Sequence, residues 1–315
     1  MGKGMAFEVL INNKLEQLIP DFELQPIENK EVLSLLNDFE NGSWRFHHFH
    51  RYIWNNIAQA ALNYEEREAL IGEPQTTLYK AAQNLRLTDA IKSSSEGSEL
   101  AEILLYALMK DHFKALPIVP KIFYKQNPND NAKGADSIHI VIEDKEKQEF
   151  TVWLGEAKFY NSFDNDRLAK IVESVGETLS REKLRKEFSI ICGITDLRDF
   201  FGDENRLLFE KIKQKLDENT SLDKIKPILH IPILLLYECP ITIETTKMDD
   251  VYRENIKKLQ IDIAKQYFSK QIKKLASKIY DYQHIKFHFI LFPVPDKDKI
   301  ANKFIAEAQH YRGDE

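Results

Sequence analysis

In the run VWLGEAKFY (Val152–Tyr160), Glu156 and Lys158 interrupt an apolar, strand-like sequence. Side chains alternate along a strand, so Phe150, Val152, Leu154, Glu156 and Lys158 share one face, apolar until its last two members. A charge is costly to bury unless something pairs with it. The pair is therefore a surface accident, a structural ion pair or a reactive site. Upstream, Asp136, Ile138, Ile140 and Ile142 repeat the pattern, with the acid at one end of an apolar face. The charged turn DKEKQE (Asp144–Glu149) joins the two runs as a hairpin. Folding it about Glu146 and Lys147 sets Asp136 roughly opposite Ala157. Opposed Cβ atoms lie about 5 Å apart, so Asp136, Glu156 and Lys158 are expected to converge at the edge of the core.

Two carboxylates held close raise each other's pKa unless a cation sits between them. A hard divalent ion such as Mg²⁺ suits such oxygens, and Mn²⁺ is the alternative. An adjacent lysine can then orient or help deprotonate a water and stabilise charge growing on a phosphoryl oxygen. That chemistry is phosphodiester hydrolysis. In the preceding helix Glu99 and Glu102 are neighbours on one face. Glu102 adjoins the core-facing stripe and is preferred as a further ligand. Gly134 and Gly155, just before the two acids, permit close approach. Short motifs recur by chance, and a buried Glu156–Lys158 pair without chemistry is the bland alternative. It leaves Asp136 unexplained.

Which elements hold these residues? Residues 1–92 read as a mainly helical N-terminal lobe, with Phe46, Phe49, Ile53, Ile57, Ala61 and Tyr64 at helical spacing. The loop SSSEGS (Ser93–Ser98) is expected to end it, leaving 93–315 as a second domain. ELAEILLYALMKDHF reads as a helix, followed by strand-like IVPKIFYK, DSIHIVIE and FTVWLGEAKF. A helix with Leu168, Ile171, Val172, Val175 and Leu179 inward comes next, capped by Asp166 or a neighbour. FSIICGI (Phe188–Ile194) reads as a short buried strand. Strands ILHIPILLLYE and IKFHFILFPV flank a long helix from about Val251 to Tyr280, and a last helix spans about Asp296 to His310. The order implies an α/β fold with a mixed central sheet flanked by helices.

The helix with its glutamate, then strand, GAD, hairpin, GEAK, helix and strand resemble the PD-(D/E)xK nuclease superfamily, with its restriction-endonuclease-like core. More narrowly, ELAEILLY, KGADSIHI, WLGEAKFY, HIPILLLYE and FHFILFPVP, within about residues 95–295, resemble the HamA nuclease subunits of Hachiman antiphage systems. The resemblance implies a metal-dependent DNase that works with a HamB-like DNA helicase, which restrains it until aberrant DNA is met. It also implies site roles. Asp136 and Glu156 bind Mg²⁺ with the backbone carbonyl of Ala157, Lys158 is the catalytic lysine, and Glu102 is the helix glutamate. Ala135 stands where the superfamily's naming motif has proline. The rival reading is a catalytically inactive subunit of the same fold that regulates the helicase.

Composition sets the remaining bounds. The 315 residues are 43% hydrophobic with a net charge of −6, enough apolar material for a large core and no general attraction for phosphates. Locally, the helix from Val251 to Tyr280 carries +6, and Lys265, Lys270, Lys273 and Lys274 are its candidate DNA contacts. A solvated lysine face is an equally good reading. His47, His48 and His50 with Trp44 and Trp54 invite a metal reading, but no further ligand is near in sequence and packing is favoured. No phosphate-binding glycine loop is present, so any ATP use belongs to a partner. Cys192 and Cys239 have no zinc-like spacing and are expected to be free thiols. With no signal-like N-terminus and no apolar run of spanning length, a cytoplasmic protein without a membrane partner is expected.

Overall fold

The computed structural model describes residues 6–87, 99–124, 134–162, 164–193 and 206–313. In chain order the elements are β1 (Glu8–Lys14), α1 (Leu15–Leu18), β2 (Lys30–Leu36), β3 (Phe39–Glu40), β4 (Ser43–Trp44), α2 (Phe46–Ala61), α3 (Tyr64–Ala69), α4 (Pro74–Gln83) and α5 (Glu99–Asp111). Then come β5 (Leu116–Val119), α6 (Lys121–Tyr124), β6 (Ser137–Asp144), β7 (Glu149–Tyr160), α7 (Asn165–Thr178), α8 (Arg181–Gly193) and α9 (Arg206–Leu216). The chain ends with β8 (Leu229–Glu238), α10 (Pro240–Glu244), α11 (Asp250–Leu275), β9 (Lys286–Val294) and α12 (Lys297–Arg312).

A seven-stranded sheet in the order β1-β2-β9-β8-β7-β6-β5 runs through the molecule. Its centre is parallel, from β2 through β9 and β8 to β7, and its two margins are antiparallel. Parallel strands are covered on both faces, which is why β8 and β9 read as nearly unbroken apolar runs. One face, with Val152, Leu154, Ile233, Leu235 and Phe289, packs against α7, α8, α9 and α11. The other, with Trp153, Phe159, Leu234, Leu236 and Phe292, packs against α2, α5 and α12. This is the mixed α/β architecture expected from the sequence.

Three local expectations change. FSIICGI is not a strand: it is helical to Gly193 as the end of α8. Leu184, Glu187, Phe188 and Ile191 are buried at steps of three and four, and a short apolar run alone cannot separate a buried strand from a helix. IVPKIFYK is a strand only as far as Val119; after Pro120, which has no N–H for the ladder, Lys121–Tyr124 turn into α6. The N-terminal region holds the expected helix α2, yet β1 and β2 also extend the sheet beyond β9. The boundary expected at 92/93, with the SSSEGS loop, lies outside the described residues. On either side of it α2 and α5 pack against each other and share one apolar cluster.

Candidate active site

The β6–β7 hairpin delivers the first two acids, and its register differs from the expected one by one residue. Asp144 pairs with Glu149, as a turn about Glu146 and Lys147 requires, but a bulge between Ile142 and Asp144 shifts all later pairs. Ser137 therefore faces Gly155, and the Asp136 N–H donates to the Gly155 carbonyl at 2.8 Å. The correction matters because opposed residues on antiparallel strands share a face, and a one-residue slip exchanges faces. Opposite Ala157, Asp136 would lie on the wrong side of the sheet. With the bulge it joins Glu156.

Asp136, Glu156 and Lys158 meet as the alternation implies. Lys158 Nζ lies 2.5 Å from Glu156 Oε1 and 4.0 Å from Asp136 Oδ2. Ser174 of α7 donates its hydroxyl to Glu156 Oε1 at 2.5 Å, and the Ala157 N–H donates to Asp136 Oδ2 at 3.0 Å. Glu156 is 5% exposed, while Lys158 and Asp136 keep 15% and 17%, so the cluster is buried at one end and reachable at the other. Burial, with the Asp136 carboxylate next, pushes Glu156 up to about 7, against the pull of Lys158 and Ser174. Burial acts against the Lys158 charge, but the two carboxylates outweigh it and hold the ammonium protonated. Two carboxylates and one ammonium meet here. A donor set of carboxylate oxygens is the chemistry a hard divalent ion takes.

Contacts from more distant segments fix this geometry, and sequence reasoning missed most of them. Lys121 of α6 contacts both carboxylate oxygens of Glu187 in α8, at 2.7 and 3.0 Å, and Glu187 also accepts from the Ala135 N–H at 2.9 Å. That contact anchors the residue just before Asp136. Gly134 makes it possible, since a Cβ there would stand 1.8 Å from Glu187 Oε1. Gly155 has a comparable role on the other side of β7, where a Cβ would meet Ser137 Oγ and Leu105 of α5. The two glycines were legible as close approaches; their partners were not. Ser174 stands beside the inward positions Val172 and Val175 of α7, and that polar residue next to an apolar stripe was its only signal.

Comparison with known families now bears on the site. A family model described as HamA matches residues 11–308, nearly the whole chain. The chain belongs to the HamA family. It is accordingly a component of Hachiman antiphage defence. No curated protein matches it significantly.

Other sequence candidates in this HamA-family chain fall elsewhere. Glu102 lies on α5, whose buried side chains pack on the opposite sheet face from Glu156. Among the described residues no three His, Cys, Asp or Glu side chains are grouped to hold a metal ion. Glu99 instead accepts the Arg86 N–H with both carboxylate oxygens, at 2.8 and 2.9 Å. On α11, Lys265 and Lys273 are exposed and Lys270 is half-buried, while Lys274 is paired with Glu173 of α7 at 2.5 Å. Both cysteines are free thiols, as expected. Among the described residues no helix is long and apolar enough to cross a membrane.

Proposed function

We propose that this HamA-family protein is a metal-dependent deoxyribonuclease, the effector subunit of a cytoplasmic helicase–nuclease complex in antiphage defence. The observation that carries the reading is the cluster of Asp136, Glu156 and Lys158 at the accessible end of an otherwise apolar sheet face. Asp136, Glu156 and the backbone carbonyl of Ala157 would hold Mg²⁺ or Mn²⁺. A bound divalent ion supplies Lewis-acid activation of water and neutralises charge on the phosphoryl group.

The chain's own residues do the rest. Lys158 carries its proton at Nζ and is held by Glu156, so it can donate to a water or to a non-bridging phosphoryl oxygen. Ser174 fixes the Glu156 carboxylate from behind, and the Ala157 N–H fixes Asp136. Such positioning is worth most when the groups need no rearrangement during reaction. Lys265, Lys270 and Lys273 extend a basic surface along α11, suited to the phosphate backbone rather than to a base sequence.

The test is Mg²⁺-dependent degradation of supercoiled and linear DNA by the protein with its helicase. Wild type is expected to cleave, and Asp136→Asn is expected not to, with helicase binding unchanged. A regulatory subunit without catalysis predicts the opposite in cells. Asp136→Asn would then protect against phage as well as wild type does, and the nuclease reading would be abandoned.

A further inference from the structure

β7 ends between two helices that lie on opposite faces of the sheet. α7 packs on the face that carries Glu156, and α12 packs on the other. Ligands of α/β sheets bind in crevices outside the carboxyl ends of the parallel strands, where helices part in this way. The crevice beyond β7 adjoins the acid cluster, because Lys158 comes two residues before Tyr160, the last of the strand. Alternate residues on one strand face stand about 7 Å apart.

On the acid-bearing face, α7 runs back along β7. Arg167, in its first turn, sets its guanidinium carbon 5.1 Å from the centre of the Tyr160 ring, and Ser174 donates to Glu156. Positions seven apart, about two turns, lie on one side of a helix. The side of α7 that orients Glu156 therefore also carries Arg167, one strand step beyond Lys158. Arg167 is 25% exposed. Its Nη1 donates to the Ser162 carbonyl and hydroxyl at 2.5 and 2.7 Å, and its Nε lies 3.7 Å from Asp164. Nη2 has no hydrogen-bond partner among the described residues. A guanidinium anchored through Nη1 is a fixed fork, with Nη2 left to meet a phosphate oxygen.

On the other face, Lys297 opens α12 and lies 5.6 Å from the centre of the Phe159 ring. It is half-buried and close enough to Arg167 for the two charges to act on each other. Burial lowers the Lys297 pKa, Asp298 and Glu238 raise it, and the Arg167 charge lowers it. Two cations that bracket one strand end repel, and an anion between them removes that cost. Asp164 accepts the Arg167 N–H at 2.8 Å and Glu238 the Lys297 N–H at 3.0 Å, so each of these acids closes a helix start. Asp298 remains, exposed in the same turn as Lys297.

We infer that Arg167 and Lys297 bracket a notch at the carboxyl end of β7 that holds the DNA backbone phosphate next to the one lying at Lys158. The inference rests on the nuclease reading for its substrate. Contact with phosphate carries no sequence information, so the notch serves every sequence alike. A strand held there has its neighbouring phosphate delivered to the acid cluster, which makes Arg167 a substrate-positioning residue.

The test is fluorescence anisotropy of a labelled DNA duplex with a single-stranded end, titrated with the full-length Asp136→Asn protein in EDTA at several salt concentrations. Binding without a divalent ion separates the notch from catalysis. Arg167→Gln, which keeps a donor for Ser162 but no charge, should weaken binding at least threefold and reduce the salt slope by about 1. Lys297→Gln should do the same, and Arg167→Lys should restore the slope. Lys80→Gln, at an exposed position of α4, should change neither. All four should melt as the Asp136→Asn protein does. In cleavage by the otherwise wild-type chain with its helicase, Arg167→Gln should raise KM and leave kcat nearly unchanged. Absence of cleavage with the slope loss intact would remove the nuclease reading and keep the notch as a DNA contact. Affinity and slope unchanged in Arg167→Gln, an equal loss in Lys80→Gln, or no binding at the lowest salt would each overturn the proposal.

Discussion

Lys121–Glu187 and Lys158–Glu156 are two lysine–glutamate contacts of similar length, 2.7 and 2.5 Å, the first beside Ala135 just before β6 and the second on β7. In the first, both side chains are at most 4% exposed, and a backbone N–H occupies Glu187 as well. The pair is sealed from solvent. In the second, Asp136 adds another carboxylate, and two of the three groups remain reachable at 15% and 17% exposure. An ion pair out of reach of solvent serves structure. Carboxylates held together at an accessible edge are a place to bind something.

The comparison can be broken from either side. Lys158→Ala should lower DNA cleavage by roughly a thousandfold or more, about 4 kcal/mol in the barrier, at equal concentrations of folded protein. Glu187→Ala should do the reverse: leaving Lys121 buried without its acid costs about 3 kcal/mol or more, read from denaturant unfolding. Gly134→Ala sharpens the second case. Its Cβ would collide with Glu187 Oε1, so a loss of about 1–3 kcal/mol is expected without any change to a charged residue.

Lys30 supplies a third kind of buried charge, one held by no acid in contact. Its ammonium bonds to Asn29 Oδ1 at 2.6 Å and lies over the Tyr282 ring, and burial pushes its pKa down to about 7, against the Glu28 charge. Between about 7 and the ordinary lysine value of 10.5 the unfolded chain binds more protons than the folded one, so stability rises with pH across that window. Below it the penalty is fully present. Lys30→Met should therefore flatten the pH dependence between 7 and 10.5 and stabilise the protein at pH 6, measured by unfolding at several pH values. The smallest effect belongs to α11: Lys265→Ala should weaken DNA binding about equally for all sequences and reduce the salt slope by about 1.

Where periodicity carried the signal, sequence and structure agree. The stripe Leu168, Ile171, Val172 and Val175 lies inward on α7, and β8 and β9 are the continuous apolar strands their residues imply. Alternation also set Asp136, and Glu156 with Lys158, at the ends of core-facing runs, but the register read from the turn separates them and the bulge brings them together. What remained hidden depends on contacts between distant segments. Glu187 reaches Ala135 across 52 residues, and Ser174 reaches Glu156 across 18. The bulge after Ile142 has no residue-type signature in the turn. FSIICGI misleads because its four adjacent apolar or near-apolar residues satisfy either period, and only packing against the sheet selects the helix.

The central claim is that the accessible cluster is reactive and the sealed pair is not. Its most direct test is Mg²⁺-dependent DNA cleavage by the helicase complex, comparing wild type, Glu156→Gln and Glu187→Gln at equal concentrations of folded protein. The account predicts no cleavage by Glu156→Gln and near-wild-type cleavage by folded Glu187→Gln. Cleavage retained by Glu156→Gln, or lost equally in both, would contradict it.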